Sequence, residues 1–299
     1  MRMNYVSRIQ AIMSSYKKVA ASKITSCVLD GSYTSVFKGK SMNFDELREY
    51  VAGDDVKDID WKATSRSGKV LVRQYIAEKK HNVMFVMDTN RRMLADSGNS
   101  IEKRELAALS AGMLALFVNR NADYVGAAYA NGIFMKNFPF RTGLANIEQI
   151  LEDYSRAVTM ENHSDINATL EYLIRNLRRR MVIFIITDLE GMRSISETNL
   201  KRLSVMNDVL AVRVDDAELG GKVLYDLGED RYLADFFAKD KRLQREALKE
   251  KQKVEKECEE KLTHFGIAEV CVNHVGSLER ELSNLLDKME EKAEKKEKK

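Results

Sequence analysis

Residues 83–88 read VMFVMD and residues 182–188 read VIFIITD, so each is a short apolar run that ends on an aspartate. Runs of this length without polar alternation are typical of strands that are buried on both faces of a sheet. Residues 208–214 (DVLAVRV) and 268–272 (AEVCV) repeat the pattern. Because helix-like segments separate these runs, the sequence predicts an α/β fold with a mainly parallel sheet flanked by helices.

The segments between the strands predict the rest of the architecture. Two further strands on either side of Asn131-Gly132 form an expected hairpin. The predicted helices cover about residues 5–19, 101–119, 144–157, 166–179, 194–206, 232–265 and a last one from about 277. We divide the chain into a region 1–80 with an N-terminal helix and a smaller β-rich part, a main domain 81–290, and a disordered charged tail 291–299.

The charged helix predicted for about 232–265 has two interpretations. Its apolar residues are sparse, which favours a solvated helix that packs one narrow stripe against the domain. The alternative is a protruding arm that recruits a partner. The apolar spacing is too irregular for a sustained heptad repeat, so we favour the solvated helix.

The overall charge gives little support to a nucleic-acid partner. The 299 residues contain 49 Lys and Arg against 46 Asp and Glu, a formal net charge of +3. The last five residues, KKEKK, carry that whole excess (four lysines minus one glutamate), so the other residues sum to zero. Three cysteines without a CxxC pair exclude a disulfide scaffold. With no apolar run of about 20 residues, we expect no transmembrane segment and a cytoplasmic protein.

Two motif types associated with enzymes are incomplete. Gly39-Lys40-Ser41 has the end of a phosphate-binding loop, but Thr34 stands where that loop needs its first glycine. The four histidines are scattered, without the close spacing of a zinc hydrolase. The sequence therefore indicates neither a nucleotide loop nor nucleophilic catalysis.

Asp88 and Asp188 are the strongest site candidates. Each ends a predicted buried strand, and the carboxyl ends of parallel strands share one crevice. Two carboxylates at that place can bind a hard divalent cation. The alternative is that they cap helices or accept hydrogen bonds from loop amides.

A second cluster of charges precedes the first buried strand. We interpret it as an ion-paired structural signature that holds the irregular region against the sheet, because Arg–carboxylate pairs fix orientation well. Trp61, the single tryptophan, is expected to anchor this packing. The signature residues are Arg48, Asp54, Asp55, Asp60, Trp61 and Arg66.

Several stretches of this sequence resemble the motifs of a known family. Residues 43–75, NFDELREYVAGDDVKDIDWKATSRSGKVLVRQY, closely resemble the signature of the family called domain of unknown function 58. Residues 88–93 (DTNRRM) are similar to the start of that family's von Willebrand factor A-like domain, and shorter matches follow at 123–126, 164–165 and 185–188. The resemblance covers about residues 40–290. It implies a von Willebrand factor A-like, Rossmann-like fold with a metal-ion-dependent adhesion site at the carboxyl edge of the sheet.

The resemblance also implies which residues form that site. Asp88 and Asp188 match its two aspartates, Ser164 stands at its threonine position, and Asn90 replaces the first serine of its Asp-x-Ser-x-Ser loop. Arg92 replaces the second serine. Because a guanidinium repels a divalent cation and pairs with carboxylates, we expect a degenerate site in which Arg92 substitutes for Mg²⁺ or Mn²⁺. No cofactor is therefore expected.

The function implied by the resemblance is protein binding. Bacterial members of the family are associated with MoxR-type AAA+ ATPases, so the leading hypothesis is a non-enzymatic adaptor that contacts the ATPase or a client through the loops after Asp88, Ser164 and Asp188. The alternative is a metal-dependent hydrolase that uses the aspartates. A nucleic-acid partner at Arg178–Arg180 or the tail is not expected, because arginines that end a helix are explained by its negative pole.

Overall fold

The computed structural model describes residues 4–19, 46–51, 53–54, 56–74, 80–97, 101–132, 134–216, 225–226, 231–232 and 241–297. The Gly39-Lys40-Ser41 motif, Cys27 and Asp55 lie outside these ranges. The described strands are β1 (Glu46–Glu49), β2 (Leu71–Gln74), β3 (Asn82–Met87), β4 (Asp96–Ser97), β5 (Ile101–Glu102), β6 (Tyr124–Asn131), β7 (Phe134–Arg141), β8 (Val182–Thr187), β9 (Asp208–Val214), β10 (Tyr225–Asp226), β11 (Arg231–Tyr232) and β12 (Ala268–Val272). The described α-helices are α1 (Tyr5–Val19), α2 (Trp61–Ser67), α3 (Lys103–Arg120), α4 (Leu144–Ala157), α5 (Ile166–Asn176), α6 (Leu189–Ser194), α7 (Glu197–Met206), α8 (Lys241–His264) and α9 (Leu278–Glu297).

The main sheet has six strands in the order β12-β9-β8-β3-β6-β7. β7 pairs antiparallel with β6, and the other neighbours pair in parallel. The chain starts at β3 in the middle, runs outward to β7, and then returns to β8 and runs outward the other way. The order therefore reverses between β3 and β8, which places a crevice at their carboxyl ends. The predicted α/β fold with a mainly parallel sheet is confirmed.

Helices cover both faces of this sheet. One core lies under α1, α3, α4 and α9, and the other lies under α5, α6, α7 and α8. All six residues of β8 are buried, which explains why its sequence is apolar without alternation. Phe85 and Phe184 stack in the first core with ring centroids 5.3 Å apart. Burial of two such rings stabilises the pairing of β3 and β8 by several kcal/mol, at about 2–3 kcal/mol each.

Helix α1 belongs to this domain, although the sequence groups it with the β-rich region. Its residues Tyr5, Val6 and Ile9 are buried in the first core. The Glu148 carboxylate accepts hydrogen bonds from the first two of their backbone N–H groups, at 2.8 and 2.7 Å. A Cβ atom at Gly112 would lie 2.3 Å from Ile9 Cδ1, so the glycine on α3 permits the close approach of α1.

Several predicted helix limits were wrong. Helix α5 ends at Asn176 because Leu177 takes an extended conformation, which leaves Arg178–Arg180 outside the helix. The predicted helix 194–206 begins only at Glu197, because Ser196 caps the N-terminus of α7 and Ile195 is extended. The charged helix begins at Lys241, and Tyr232 lies in β11. Helix α9 continues to Glu297 through most of the segment predicted as a disordered tail, because its Lys, Glu and Ala residues favour helix.

Candidate functional site at the carboxyl edge

Asp88 and Asp188 follow β3 and β8 directly, at the point where the strand order reverses. The two strands are paired, and the Asp88 N–H donates to the Ile186 carbonyl at 2.9 Å. Both side chains are almost fully buried, with 2% of each residue exposed. The predicted convergence of the two carboxylates in one crevice is therefore observed.

The chain itself donates to both oxygens of Asp88. Its Oδ1 accepts the backbone N–H of Asn90 at 2.9 Å, and its Oδ2 accepts the hydroxyl of Thr187 at 2.6 Å. The Tyr154 hydroxyl donates to the Asp88 backbone carbonyl at 2.9 Å, which fixes the main chain at the end of β3. Asp88 is thus held in one orientation from three elements.

Asp188 caps a helix and also accepts from a buried lysine. Its Oδ1 accepts the Gly191 N–H of α6 at 2.8 Å, as expected of an N-cap aspartate. Its Oδ2 lies 3.0 Å from Lys103 Nζ. The Lys103 ammonium also contacts Asp216, which is half exposed. Lys103 itself is buried, and α3 carries it to the site from a distance of 85 residues in sequence.

Arg92 places a second cation between the two aspartates. Its Nε lies 3.3 Å from Asp188 Oδ2, and its Nη2 lies 3.7 Å from Asp88 Oδ2. The short 3-10 helix Arg91–Leu94 positions it, and Asn90 Oδ1 caps that helix by accepting the Arg92 N–H at 3.0 Å. Two buried carboxylates thus meet two cations of the same chain.

The two aspartates have opposite pKa shifts. Burial, together with the negative charge of Asp188, raises the pKa of Asp88 to about 6. Burial would also raise the pKa of Asp188, but Lys103 and Arg92 outweigh it and hold that pKa below its ordinary value. Burial opposes the charged form of Lys103, yet Asp188 and Asp216 raise the pKa of this lysine. Asp188 is therefore the permanent anion of the pair.

Gly191 is a spatial requirement of the site. A Cβ atom there would lie 1.9 Å from Thr187 Oγ1 and 2.6 Å from Asp88 Oδ2. These atoms belong to buried, hydrogen-bonded side chains, so they have little room to move. The start of α6 packs onto the aspartate pair only because this position lacks a side chain.

The remaining predicted site residues lie beside the carboxylates. Asn90 Nδ2 donates to the Ser164 carbonyl at 2.8 Å, which joins the loop after β3 to the loop before α5. The Ser164 hydroxyl lies 2.9 Å from the hydroxyl of Thr89. The hydroxyl that bonds to Asp88 comes from Thr187 instead. The structure thus brings Asp88, Asn90, Arg92, Ser164 and Asp188 together, with Asn90 and Ser164 fixing loops.

Groups of the protein already contact both carboxylates. All four carboxylate oxygens accept from N–H, O–H or ammonium groups of the protein. Within the described ranges, no group of three or more His, Cys, Asp or Glu residues is arranged to hold a metal ion. Arg92 and Lys103 already supply two positive charges, so a cation placed here would be repelled.

Two aspartates of the Asp/Arg signature accept hydrogen bonds from nearby backbone N–H groups. Asp60 Oδ1 caps α2 by accepting the N–H groups of Lys62 and Ala63, each at 3.0 Å, and Asp54 Oδ2 accepts the Val51 N–H at 2.9 Å.

The prediction that Trp61 anchors the packing is wrong. Trp61 is 65% exposed because it occupies the first position of α2, a helix with no buried residue. Arg66 is likewise exposed on α2, and Arg48 lies in β1, paired in the backbone with Val72.

Lys103, Thr187, Gly191 and Asp216 are site residues that the sequence analysis missed. Thr187 and Gly191 flank Asp188 closely enough to have been found by proximity. Lys103 had a weaker signal, since it is a charged residue at the start of the most apolar helix. Nothing local marks it as the partner of a residue far along the chain.

Among the described helices, none combines the length and the apolar character that a membrane crossing requires.

The sequence profile of the family described as "Protein of unknown function DUF58" matches residues 46–257. The chain is 30% identical over 195 residues to uncharacterized proteins of Mycobacterium tuberculosis (strain H37Rv) and Mycobacterium bovis, which is 63% of this chain. The match spans 60% of the length of these curated relatives.

Two solved structures illustrate more distant likenesses. One is the conserved hypothetical protein BatB from Bacteroides thetaiotaomicron, with 18% identity, a TM-score of 0.45, and coverage of 71% of this chain and 99% of that one. The other is a von Willebrand factor type A protein from Catenulispora acidiphila, with 8% identity, a TM-score of 0.39, and coverage of 72% of this chain and 43% of that one.

Proposed function

Because this chain belongs to the DUF58 family, whose function is unknown, we propose a function from its own site: a non-enzymatic adaptor that binds proteins without a metal ion. Its partner in this proposal is a MoxR-type AAA+ ATPase, with which it acts in the assembly or maturation of a client. The ATPase comes from the family resemblance, and the binding mode comes from the carboxyl edge.

The observation that carries the proposal is the internal neutralisation of Asp88 and Asp188. Arg92 and Lys103 lie within 3.0–3.7 Å of the carboxylates, where an adhesion-type site would place its metal. Both carboxylates are buried and accept hydrogen bonds from the protein at both oxygens, which favours a structural role for them. This supports binding over metal-dependent hydrolysis.

The same edge offers apolar contacts to a partner. Phe134, just after the β6–β7 turn, is 73% exposed, and Met160, in the loop between α4 and α5, is 41% exposed. The Arg91 N–H donates to the Asn162 carbonyl at 2.7 Å, so the Met160 loop is fixed to the loop after β3. A rigid scaffold that presents exposed apolar side chains at a strand end and on a loop is a typical binding surface.

Co-purification tests the partner. The tagged full chain is expressed in its native organism and recovered with and without a non-hydrolysable ATP analogue, and bound proteins are identified by mass spectrometry. We expect an AAA+ ATPase with the wild type and its loss with Phe134→Asp and Met160→Asp. Leu248→Asp, at a 53% exposed position on α8, is the control and should retain the ATPase.

Two results would contradict parts of the proposal. Repeated absence of an AAA+ ATPase, with nucleotide present, would remove the ATPase as partner. Recovery that is equal for the wild type and both edge variants would remove the carboxyl edge as the binding surface.

A further inference from the structure

The opposite, amino-terminal edge of the sheet carries a cleft that the proposed function does not use. Helices α5 and α7 each end at this edge, because Asn176 precedes β8 and Met206 precedes β9. Between them lies a cavity of about 630 Å³. We call it the amino-edge groove; its apolar residues are Ile174, Leu177, Leu203, Val205 and Met206.

The floor of the amino-edge groove is apolar and open. Val205 is 75% exposed and Met206 is 59% exposed, at consecutive positions where α7 ends. Thr198, Lys201 and Val205 share one face of α7 at helical spacing and line the groove. The eight residues from Thr198 to Val205 span about 10 Å, which is the length of two turns of a docked helix.

Cations surround this apolar floor. Arg179, Lys201 and Arg202 line the groove, and Arg178 precedes it in the chain; all four are exposed. Neighbouring arginines are paired, Arg175 with Glu171 and Arg180 with Asp208. Within the described ranges, the four cations have no ion-pair partner, and no carboxylate lines the groove.

The helix-pole explanation for the arginine run does not hold here. It requires Arg178–Arg180 to form the last turn of α5, but the helix ends at Asn176. Arg180 pairs instead with Asp208: its Nη2 lies 3.0 Å from each carboxylate oxygen. Arg178 and Arg179 are therefore exposed cations without an ion-pair partner in the described ranges.

We infer that the amino-edge groove is a docking site for an acidic amphipathic helix of a partner protein. The partner's apolar face would cover Val205 and Met206, and its carboxylates would pair with Arg178, Arg179, Lys201 and Arg202. Only a ligand that is both apolar and acidic matches this floor and rim. The inference goes beyond the proposed function, because this surface lies at the other end of the sheet.

Two other polyanions match the groove less well. A single-stranded nucleic acid stacks its bases on aromatic side chains, and the described lining of the groove contains none; a duplex bound through its phosphates would leave the apolar floor uncovered. An anionic bilayer presents a broad surface, whereas the apolar residues here line a concavity that an inserted side chain fills. Charge and shape together favour a protein segment.

The test uses the full chain and a designed peptide. The probe is a fluorescent amphipathic helix of about 14 residues with Leu on one face and Glu on the other, long enough for the groove and its rim. Its matched control carries Lys in place of each Glu. Fluorescence anisotropy should show binding of the acidic peptide, weakening as salt rises, and at least about ten-fold weaker binding of the basic one.

Variants of the protein locate the site. Val205→Asp and the double variant Arg179→Glu/Lys201→Glu should each weaken binding of the acidic peptide about ten-fold or more. The double variant should also gain binding of the Lys peptide. All three positions are exposed, so circular dichroism and melting temperature should match the wild type. Leu248→Asp on α8 should bind like the wild type.

Each remaining outcome overturns the inference. Equal binding by wild type and Val205→Asp would show that the apolar floor is not used. Tight binding of single-stranded oligonucleotide or of phosphatidylserine vesicles, lost in the double variant but kept in Val205→Asp, would identify a general polyanion surface. Co-purification of the ATPase through Phe134 and Met160 is a separate readout, so failure here leaves the proposed function standing.

Discussion

The cationic side chains at the two ends of the sheet have opposite surroundings. At the carboxyl edge, Arg92 and Lys103 form ion pairs with Asp88 and Asp188 inside the protein. At the amino edge, Arg178, Arg179, Lys201 and Arg202 surround exposed apolar side chains and have no carboxylate partner in the described ranges. Charge at one end thus holds the fold together, and charge at the other is available to a partner.

Removal of one lysine at each end gives the largest expected contrast. Lys103→Met leaves Asp188 buried without its nearest cation, so we expect a loss of about 3–5 kcal/mol in the free energy of unfolding. Lys201→Met removes an exposed charge and should stay within about 0.5 kcal/mol of wild type. Urea unfolding measures both. Equal effects of the two substitutions would break the comparison.

The opposite pKa shifts of the two aspartates predict opposite pH behaviour. The raised pKa of Asp88 means that its stabilising contribution is full below about pH 4 and is lost as pH rises through about 6. Asp88→Asn removes this titration, so its free energy of unfolding relative to wild type should rise by roughly 3 kcal/mol between pH 4 and 7.

Asp188 provides the matched variant, because the lowered pKa of Asp188 has the reverse sign. Its contribution is present above its ordinary pKa and is lost as pH falls. Asp188→Asn should therefore be destabilised at pH 7, and the deficit relative to wild type should shrink in acid. The same pH profile for both asparagine variants would refute the assignment of Asp188 as the permanent anion.

Gly191→Ala tests how tightly the carboxyl edge is packed. The added methyl group collides with Thr187 Oγ1 and Asp88 Oδ2, so we expect a loss of about 1–3 kcal/mol. Gly276→Ala is the control, because its nearest neighbour is the His274 side chain at 3.2 Å, which can move. Thermal and urea unfolding give the two values, and a neutral Gly191→Ala would show that the site is loose.

Metal ions should have the smallest effect. We expect the melting temperature of the wild type to be the same in Mg²⁺, Mn²⁺ or EDTA, because Arg92 and Lys103 already neutralise the two carboxylates of the site. Arg92→Ser installs the serine of the adhesion-type motif and removes one cation. Stabilisation by Mg²⁺ in this variant alone would sharpen the comparison; stabilisation of the wild type would contradict metal-independent binding.

Sequence reasoning was most successful where a pattern is local. The apolar runs before Asp88 and Asp188 identified buried parallel strands, and parallel strands bring their carboxyl ends together. The predicted pairing of Arg92 with these aspartates is observed as well, because Arg92 lies only four residues after Asp88. The limits of α1 and α4 were also predicted correctly, since both helices have one clear apolar face.

It was least successful where exposure or a distant contact decides. Trp61 and the apolar residues around it have the spacing of a core, but Trp61 is exposed on a helix without buried residues. The arginine run at 178–180 continues a helical pattern, but the chain leaves the helix at Leu177 to enter β8. In both cases the pattern describes what the chain can form locally and not what covers it.

The succession of strands and helices along the chain follows from the residues alone, because side-chain periodicity indicates whether one or both faces of an element are buried. The position of the two aspartates at strand ends follows in the same way. The pairing of Lys103 with Asp188 and the open groove beside Val205 do not follow from the residues alone. Both depend on how the helices pack on the sheet. Helix α3 brings Lys103 to an aspartate 85 residues away in sequence, and α5 and α7 lie side by side at the amino edge. Burial and charge pairing at these places are properties of the packed chain, and they separate a self-neutralised edge from one that is open to a partner.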